Sequence, residues 1–304
     1  MLISHDNKPV NGWINLYKPR GISSAKAVAI VKKSFSNQKV GHTGTLDLEA
    51  EGVLPIAVGE ATKLVNFLIE ARKTYKFTVR FGKKTDTADG SGKTIETCGY
   101  IPSAEECKNI VSRFIGEVIQ IPPQYSALKI NGKRAYKLAR EGKAVNLASR
   151  KINIYNLQLL QFNFLKREAS FLCCCSKGTY IRTLAQDIAL SLQSLGYVVE
   201  LARLKVGSFS QEDSINVEKL LTKPHENARD FLEERCLKVE SVLDDIPVLE
   251  ANEDQIRKIK FGQMVTFEGG QDRNILWIKD KNSKVVAIGK LFSENFKPSR
   301  VFNL

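Results

Sequence analysis

Histidine is scarce in this sequence. Only His5, His42 and His225 occur among 304 residues, and the six cysteines (98, 107, 173, 174, 175 and 236) form no C-x-x-C pair. Zinc sites need clustered Cys and His at short spacing, so no metal centre is expected. The run Cys173-Cys174-Cys175 lies in an apolar stretch, where neighbours alternate faces and behave as small hydrophobes. Reduced, buried thiols fit the cytosol. Also missing is any apolar run of about 18 residues, which excludes a membrane-spanning helix. The opening MLISHDNKPV has neither the layout of a signal peptide nor the Arg-rich character of a transit peptide, so a cytoplasmic protein is expected. Acidic residues are in short supply as well: 33 Asp+Glu face 46 Lys+Arg, a net charge of +13. Such an excess calls for a polyanionic partner, nucleic acid or an anionic membrane surface. There are no internal repeats, no low-complexity tracts and no G-x-x-x-x-G-K-[ST] phosphate loop.

What is present is an ordinary globular chain, 43% hydrophobic and 26% charged, long enough for one large domain and a small one. Ser23-Ser24 followed by Val28, Val31 and Phe35 predicts a capped helix, and residues 61–71 predict a second, with Leu64, Val65 and Leu68 on one face. YKFTVRF alternates as a half-buried strand, with Tyr75, Phe77, Val79 and Phe81 on one side. Ser103 and Glu106 form a capping box ahead of Ile110, Val111, Phe114 and Ile115, with Gly116 as the stop. A helix is expected over 181–195, and strands over 152–164, 169–175 and 198–206. Helices and strands mix without a βαβ period, which predicts an α+β fold with a mixed, mainly antiparallel sheet flanked by helices. After about Leu243 a smaller unit begins: a short helix over 252–261 and a hairpin in ILWIKDKNSKVVAIGKL suit a small β-barrel.

Residues 121–151 stand out by charge. Lys129, Lys133, Arg134, Lys137, Arg140, Lys143, Arg150 and Lys151 face Glu141 alone, beside an Asn131-Gly132 turn and interleaved with Tyr125 and Tyr136. So one-sided a run points to a nucleic-acid contact, although charge runs also serve simply as solvated faces. A second unusual stretch is GHTGTLDLEAEGVLPIAVGEATKL, residues 41–64, which holds four glycines, one histidine and one aspartate. Such turns can merely reverse a chain, and an Asp after Thr-Leu can merely cap one. Glycines also let a ligand approach the backbone closely, and that is the expectation here.

These stretches resemble, in order, the motifs of the TruB family of tRNA pseudouridine synthases. NLYKPRGISS is similar to the N-terminal signature, and GHTGTLDLEAEGVLPIAVGEATK to the catalytic motif. KTYKFTVRFGKKTDTADGSG resembles the strand and turn that follow, IPPQYSALKINGKRAYKLAREG the basic insertion that grips RNA, and CSKGTYIRTLAQDI with ELARLKVGSF the last two core motifs. The resemblance covers nearly the whole chain. It implies a pseudouridine synthase fold over 1–242 and a PUA-like RNA-binding barrel over 243–304. It further implies isomerisation of uridine 55 in the T-arm loop of tRNA, without a cofactor, by a monomer with no obligatory protein partner.

The resemblance makes Asp47 the nucleophile, Arg182 its partner and Tyr75 the ring that stacks on the target uracil. Tyr180 and Leu201 would line the uracil pocket, and His42 would brace the opened T-loop. Lys63, with Lys129, Lys133 and Arg134 of the insertion, would position phosphates. The residue types suit the chemistry. A carboxylate splits one hard step into easier ones but resists ionisation when buried unless a cation sits close. An arginine stays charged at any working pH. Extruding a stacked base costs a few kcal/mol, which stacking on an aromatic ring partly offsets. Leu48 stands where the family has Pro, Tyr17 where it has Asp, and Ala202 and Leu204 where Arg and Thr are commoner. Two alternatives remain: a guide-RNA-dependent synthase, a class expected to carry longer basic extensions, and a non-catalytic tRNA-folding chaperone, for which Asp47 would be dispensable.

Overall fold

A computed structural model describes residues 9–35, 38–130, 132–143, 145–221 and 225–304. Asn131 of the expected turn, and His5, lie outside these described residues. The first strand, β1 (Gly12–Lys18), leads into α1 (Ser24–Ser34), whose Ser23 cap accepts the Lys26 N–H at 3.1 Å. Next come β2 (Val40–His42), β3 (Glu51–Val58), α2 (Val65–Glu70), β4 (Lys73–Phe81), and the short pair β5 (Lys83–Thr85) and β6 (Thr94–Thr97). After α3 (Ala104–Asn109) and β7 (Gly116–Gln120), a small hairpin of β8 (Lys129–Ile130) and β9 (Lys133–Arg134) is followed by α4 (Ala135–Arg140). The long hairpin of β10 (Arg150–Asn163) and β11 (Glu168–Cys175), then α5 (Ile181–Ser191) and β12 (Gly196–Val206), complete the central elements.

A ten-stranded sheet organises them. Its main path also takes in β14 (Ile215–Asn216) and runs β14-β1-β3-β12-β4-β11-β10-β7. Two more strands attach laterally: β2 to β3, and β13 (Phe209–Ser210) to β12. Only β1 with β14 and β3 with β12 pair in parallel; the other pairs are antiparallel. The expected mixed, mainly antiparallel sheet flanked by helices is what forms. In β4, Phe77 and Val79 are wholly buried, and Phe77 stacks on Phe171 of β11 with ring centroids 5.4 Å apart. Cys173 and Cys175 are buried while Cys174 is half-buried, as strand alternation requires.

Three boundaries differ from expectation, and the simplest is the helix expected over 181–195, which ends at Ser191. The helix expected over 61–71 opens instead as a tight 3-10 turn, Gly59–Leu64, with the Thr62 hydroxyl donating to the Gly59 carbonyl at 2.7 Å; only then does α2 begin. The capping box at Ser103 forms, but α3 tightens into a 3-10 turn at 110–114 and leaves Ile115 half exposed.

The smaller unit is an open sheet of five strands: β15 (Val248–Glu250), β16 (Val265–Thr266), β17 (Arg273–Lys279), β18 (Val285–Phe292) and β19 (Asn295–Val301), ordered β15-β17-β18-β19-β16. It does not stand apart from the large sheet. Trp13, Val53, Leu64, Leu68 and Phe209 share one apolar cluster with Val285, Ile288 and Phe302. The Trp13 indole N–H donates to the Val239 carbonyl at 3.0 Å, deep in that joint. No helix among the described residues is long and apolar enough to cross a membrane.

Candidate active site

The loop between β2 and β3 carries Asp47, and three neighbours fix its course. The Ser24 hydroxyl, in the first turn of α1, accepts the Leu46 N–H at 2.9 Å and donates to the Leu46 carbonyl at 3.0 Å. Gly21 donates its N–H to the Leu48 carbonyl at 2.9 Å. From β12, the buried Arg203 donates Nε to the Val53 carbonyl at 2.8 Å and Nη2 to the Gly44 carbonyl at 3.1 Å. Leu46 and Ala50 sink into the core on either side, so the Asp47 carboxylate stays at the surface of a cavity, 43% exposed.

Across that cavity stands Arg182, only 5% exposed at its side chain, in the first turn of α5. Its Nε lies 2.8 Å from Asp47 Oδ2. The N–H is not aligned on that oxygen, so the contact is ionic and not a hydrogen bond. The other end of the guanidinium is fastened: Nη1 donates to the Thr87 carbonyl and Nη2 to the Tyr125 carbonyl, each at 2.9 Å. A second carboxylate, Asp89, sits 3.7 Å from Nη1. It is held by the hydroxyls of Thr87 and Ser91 and the Ser91 N–H, all at 2.6–3.0 Å. Arg182 therefore links the Asp47 loop, the T-D-T-A-D turn and the root of the insertion.

The cavity encloses about 450 Å³. Asp47, Tyr75, Tyr180, Arg182 and Leu201 all line it, and Asp47, Arg182 and Leu201 also border an adjoining recess of about 250 Å³. Sequence-distant residues are brought together by the sheet: Tyr75 of β4 lies opposite Arg203 of β12 and Cys173 of β11. Burial pushes the Tyr75 phenol above its ordinary range, so it is a neutral ring here. Four cations, Lys73, Lys177, Arg182 and Arg203, share the lining with the single acid Asp47. Such a cavity favours an anionic ligand.

Two lysines near the site are buried. Lys18 donates to the carbonyls of Pro19 and Ile22, and Lys73 to those of Leu68, Ile69 and Ala71. Burial lowers both ammonium groups to about 8. His42, half-buried on β2, accepts the Gly44 N–H on Nδ1 at 3.2 Å. Burial and then the nearby Arg203 charge hold its pKa below the usual value of 6.5. It bonds to the Asp47 loop at Gly44 and does not line the cavity.

The insertion forms the cavity's rim. Ser126, Ala127 and Leu128 line it, and the hairpin beyond them carries Lys129, Lys133 and Arg134 into solvent. Arg134 steadies the hairpin by donating to the Ala127 carbonyl at 2.9 Å. Lys63 is elsewhere: its Nζ meets Glu60 Oε2 at 2.7 Å and the Val301 carbonyl at 2.8 Å, and lies over the Phe302 ring. It ties the two sheets together instead of facing the cavity.

Sequence reasoning missed Ser24, Lys18, Lys73, Asp89 and Arg203. Lys18 and Ser24 lie inside the N-terminal signature, and Asp89 in the T-D-T-A-D turn, so position within a motif was the available signal. The expected role of the glycines also changes. A Cβ on Gly52 would fall 2.2 Å from the Arg203 carbonyl oxygen, and one on Gly59 2.2 Å from Asn11 Oδ1. These two glycines admit the protein's own chain rather than a ligand.

Residues 32–181 match the model of the TruB family pseudouridylate synthase N-terminal domain, and 182–244 that of the tRNA pseudouridylate synthase B C-terminal domain. A protein of Rickettsia bellii named tRNA pseudouridine synthase B is 53% identical over 292 residues, covering 96% of this chain and 98% of the relative. One of the same name from Rickettsia akari is 54% identical over 295 residues, covering 97% and 99%. Among solved structures, a Cbf5-Nop10-Gar1 complex aligns with a TM-score of 0.73 at 25% identity, over 96% of this chain and 85% of the other. An H/ACA ribonucleoprotein bound to a substrate RNA containing 2′-deoxyuridine aligns with the same score at 23% identity and the same coverage, a likeness of fold. With this relatedness along its length, the chain belongs to the TruB family of pseudouridine synthases.

Proposed function

We propose that this protein isomerises uridine 55 in the T-arm loop of tRNAs to pseudouridine. One observation carries the reading: an accessible carboxylate, Asp47, rests 2.8 Å from a buried arginine in a cavity walled by Tyr75, Tyr180 and Leu201 beneath a basic hairpin. The relatives named tRNA pseudouridine synthase B favour free tRNA over a guide-directed substrate. The exposed Lys129, Lys133 and Arg134 hold the phosphates and carry no sequence information, while the loop's shape and splayed bases select the RNA.

In the reaction the target uracil leaves its stack and lies on Tyr75, against Leu201 and Tyr180. Asp47 attacks and forms a transient bond, and the C1′–N1 bond breaks. The uracil turns and rejoins the ribose through C5, as the bond to Asp47 is released again. N1 gains a proton as C5 loses one, so the change is redox-neutral and draws on no cofactor. Arg182 holds its positive charge 2.8 Å from the attacking carboxylate. Residues 1–242 act as the catalytic domain, with 121–151 as the RNA-gripping insertion, and 243–304 as a PUA-like RNA-binding unit. The protein works in the cytoplasm, as a monomer without an obligatory protein partner.

The test uses a T-arm stem-loop labelled with tritium at uridine C5. The protein should release the label, and Asp47→Ala should abolish release while RNA binding persists. Full turnover by Asp47→Ala would remove the nucleophile assignment. No release by the unaltered protein would remove the activity itself.

A further inference from the structure

Strands β7 and β10 run antiparallel, and the last rung before the insertion pairs Gln120 with Arg150. The chain leaves the sheet after the first of these residues and rejoins it at the second. Gln120 is 1% exposed, yet its side chain serves neither strand. Its Oε1 accepts the Tyr180 N–H at 2.7 Å, and its Nε2 donates to the Tyr180 carbonyl at 3.1 Å. Arg150 takes the same residue by its ring, with the guanidinium carbon 4.9 Å from the Tyr180 centroid. Gly178 leaves room for this stack, since a Cβ there would meet Arg150 Nη1 at 3.3 Å. Arg150 Nη2 is buried without a hydrogen-bond partner, so ring contact and not a polar network accounts for its placement. One rung therefore grips one tyrosine twice.

Tyr180 occupies the N-cap of α5 without offering its own side chain as a cap, two residues ahead of Arg182. We propose that Gln120 and Arg150 are positioning residues for the isomerisation. They set the Tyr180 ring against the extruded base and, through the first turn of α5, set Arg182 against Asp47. This inference rests on the function proposed above. It separates Arg150 from its neighbours in the basic segment, whose exposed heads face solvent.

Arg150→Lys keeps the charge and removes the planar face, and Gln120→Leu removes the amide. With the stem-loop at saturation, each is expected to slow single-turnover tritium release about tenfold, while the RNA Kd stays within twofold. In a Tyr180→Leu background, Arg150→Lys should change the rate less than twofold further, because its effect passes through that ring. Amide exchange at Tyr180 should accelerate about tenfold in Gln120→Leu, with or without RNA. A rate within twofold of the unaltered protein in both variants overturns the proposal. So does weakened binding at an unchanged rate in Arg150→Lys, the mark of a phosphate contact, or full multiplication of the Arg150 and Tyr180 effects. Unchanged protection at Tyr180 overturns the Gln120 half regardless of turnover. If the unaltered protein releases no tritium, the function reading fails, while the exchange measurement still decides whether the clamp exists.

Discussion

The hydroxyl of Ser24 and the main chain of Leu46 hold each other by two hydrogen bonds, at 2.9 and 3.0 Å, one residue before Asp47. A single side chain thereby satisfies both backbone groups of a buried loop position. Ser24→Ala would leave the N–H and the carbonyl unpaired together, at a cost of about 2 kcal/mol. Urea denaturation should show that loss. Tritium release should slow about tenfold with little change in RNA Kd, because the affected contact aims Asp47 and touches no phosphate. Equal losses in rate and affinity would mean that the loop serves binding instead.

Gly52 and Arg203 meet where β3 and β12 pair in parallel. Gly52 has φ of +115°, and a Cβ would lie 2.2 Å from the Arg203 carbonyl oxygen and 2.7 Å from its nitrogen. Gly52→Ala must push the strands apart and strain the backbone, costing about 3 kcal/mol. Arg203 would lose its hold on Val53 and Gly44, so the Asp47 loop should gain amide exchange over 43–50. A variant as stable as the original, with those amides still protected, would contradict this account.

Asp187, in α5, is raised by burial to about 6 from an ordinary 3.8. Between those values the unfolded chain releases its proton while the folded protein keeps it, so this residue's contribution to stability falls as pH rises. Above pH 6 the penalty is constant, and below 3.8 it is absent. Asp187→Asn should therefore stabilise the protein by about 1–3 kcal/mol at pH 7, and by nothing near pH 3.5. Paired denaturation curves at the two pH values check the sign as well as the size. A gain that is the same at both would point to packing and not ionisation.

Much of this architecture could be read from the sequence because it rests on local pattern. Alternation in β4 and β11, the capping box at Ser103 and the hairpin of β17 and β18 each follow from a few adjacent residues. Asp47, Tyr75, Tyr180, Arg182 and Leu201 were named through family resemblance, and they line one cavity. Arg203 was passed over for a physical reason: a fully buried arginine on a strand looks, in sequence, like any exposed cation, and its partners are backbone carbonyls with no sequence signature. Lys63 illustrates the converse. A lysine at the end of the Asp47 motif suggested a phosphate contact, but it pairs with Glu60 three residues earlier and with the Val301 carbonyl, which becomes a neighbour only once the last strand folds back.

The apolar joint between the sheets places Trp13 and Phe302 in one cluster, nearly the whole chain apart. During synthesis that cluster thus stays incomplete until residue 302 has been made. The oldest part of the nascent chain waits for one of the youngest. A factor that shields apolar surface would be needed longest at Trp13, Leu64 and Phe209.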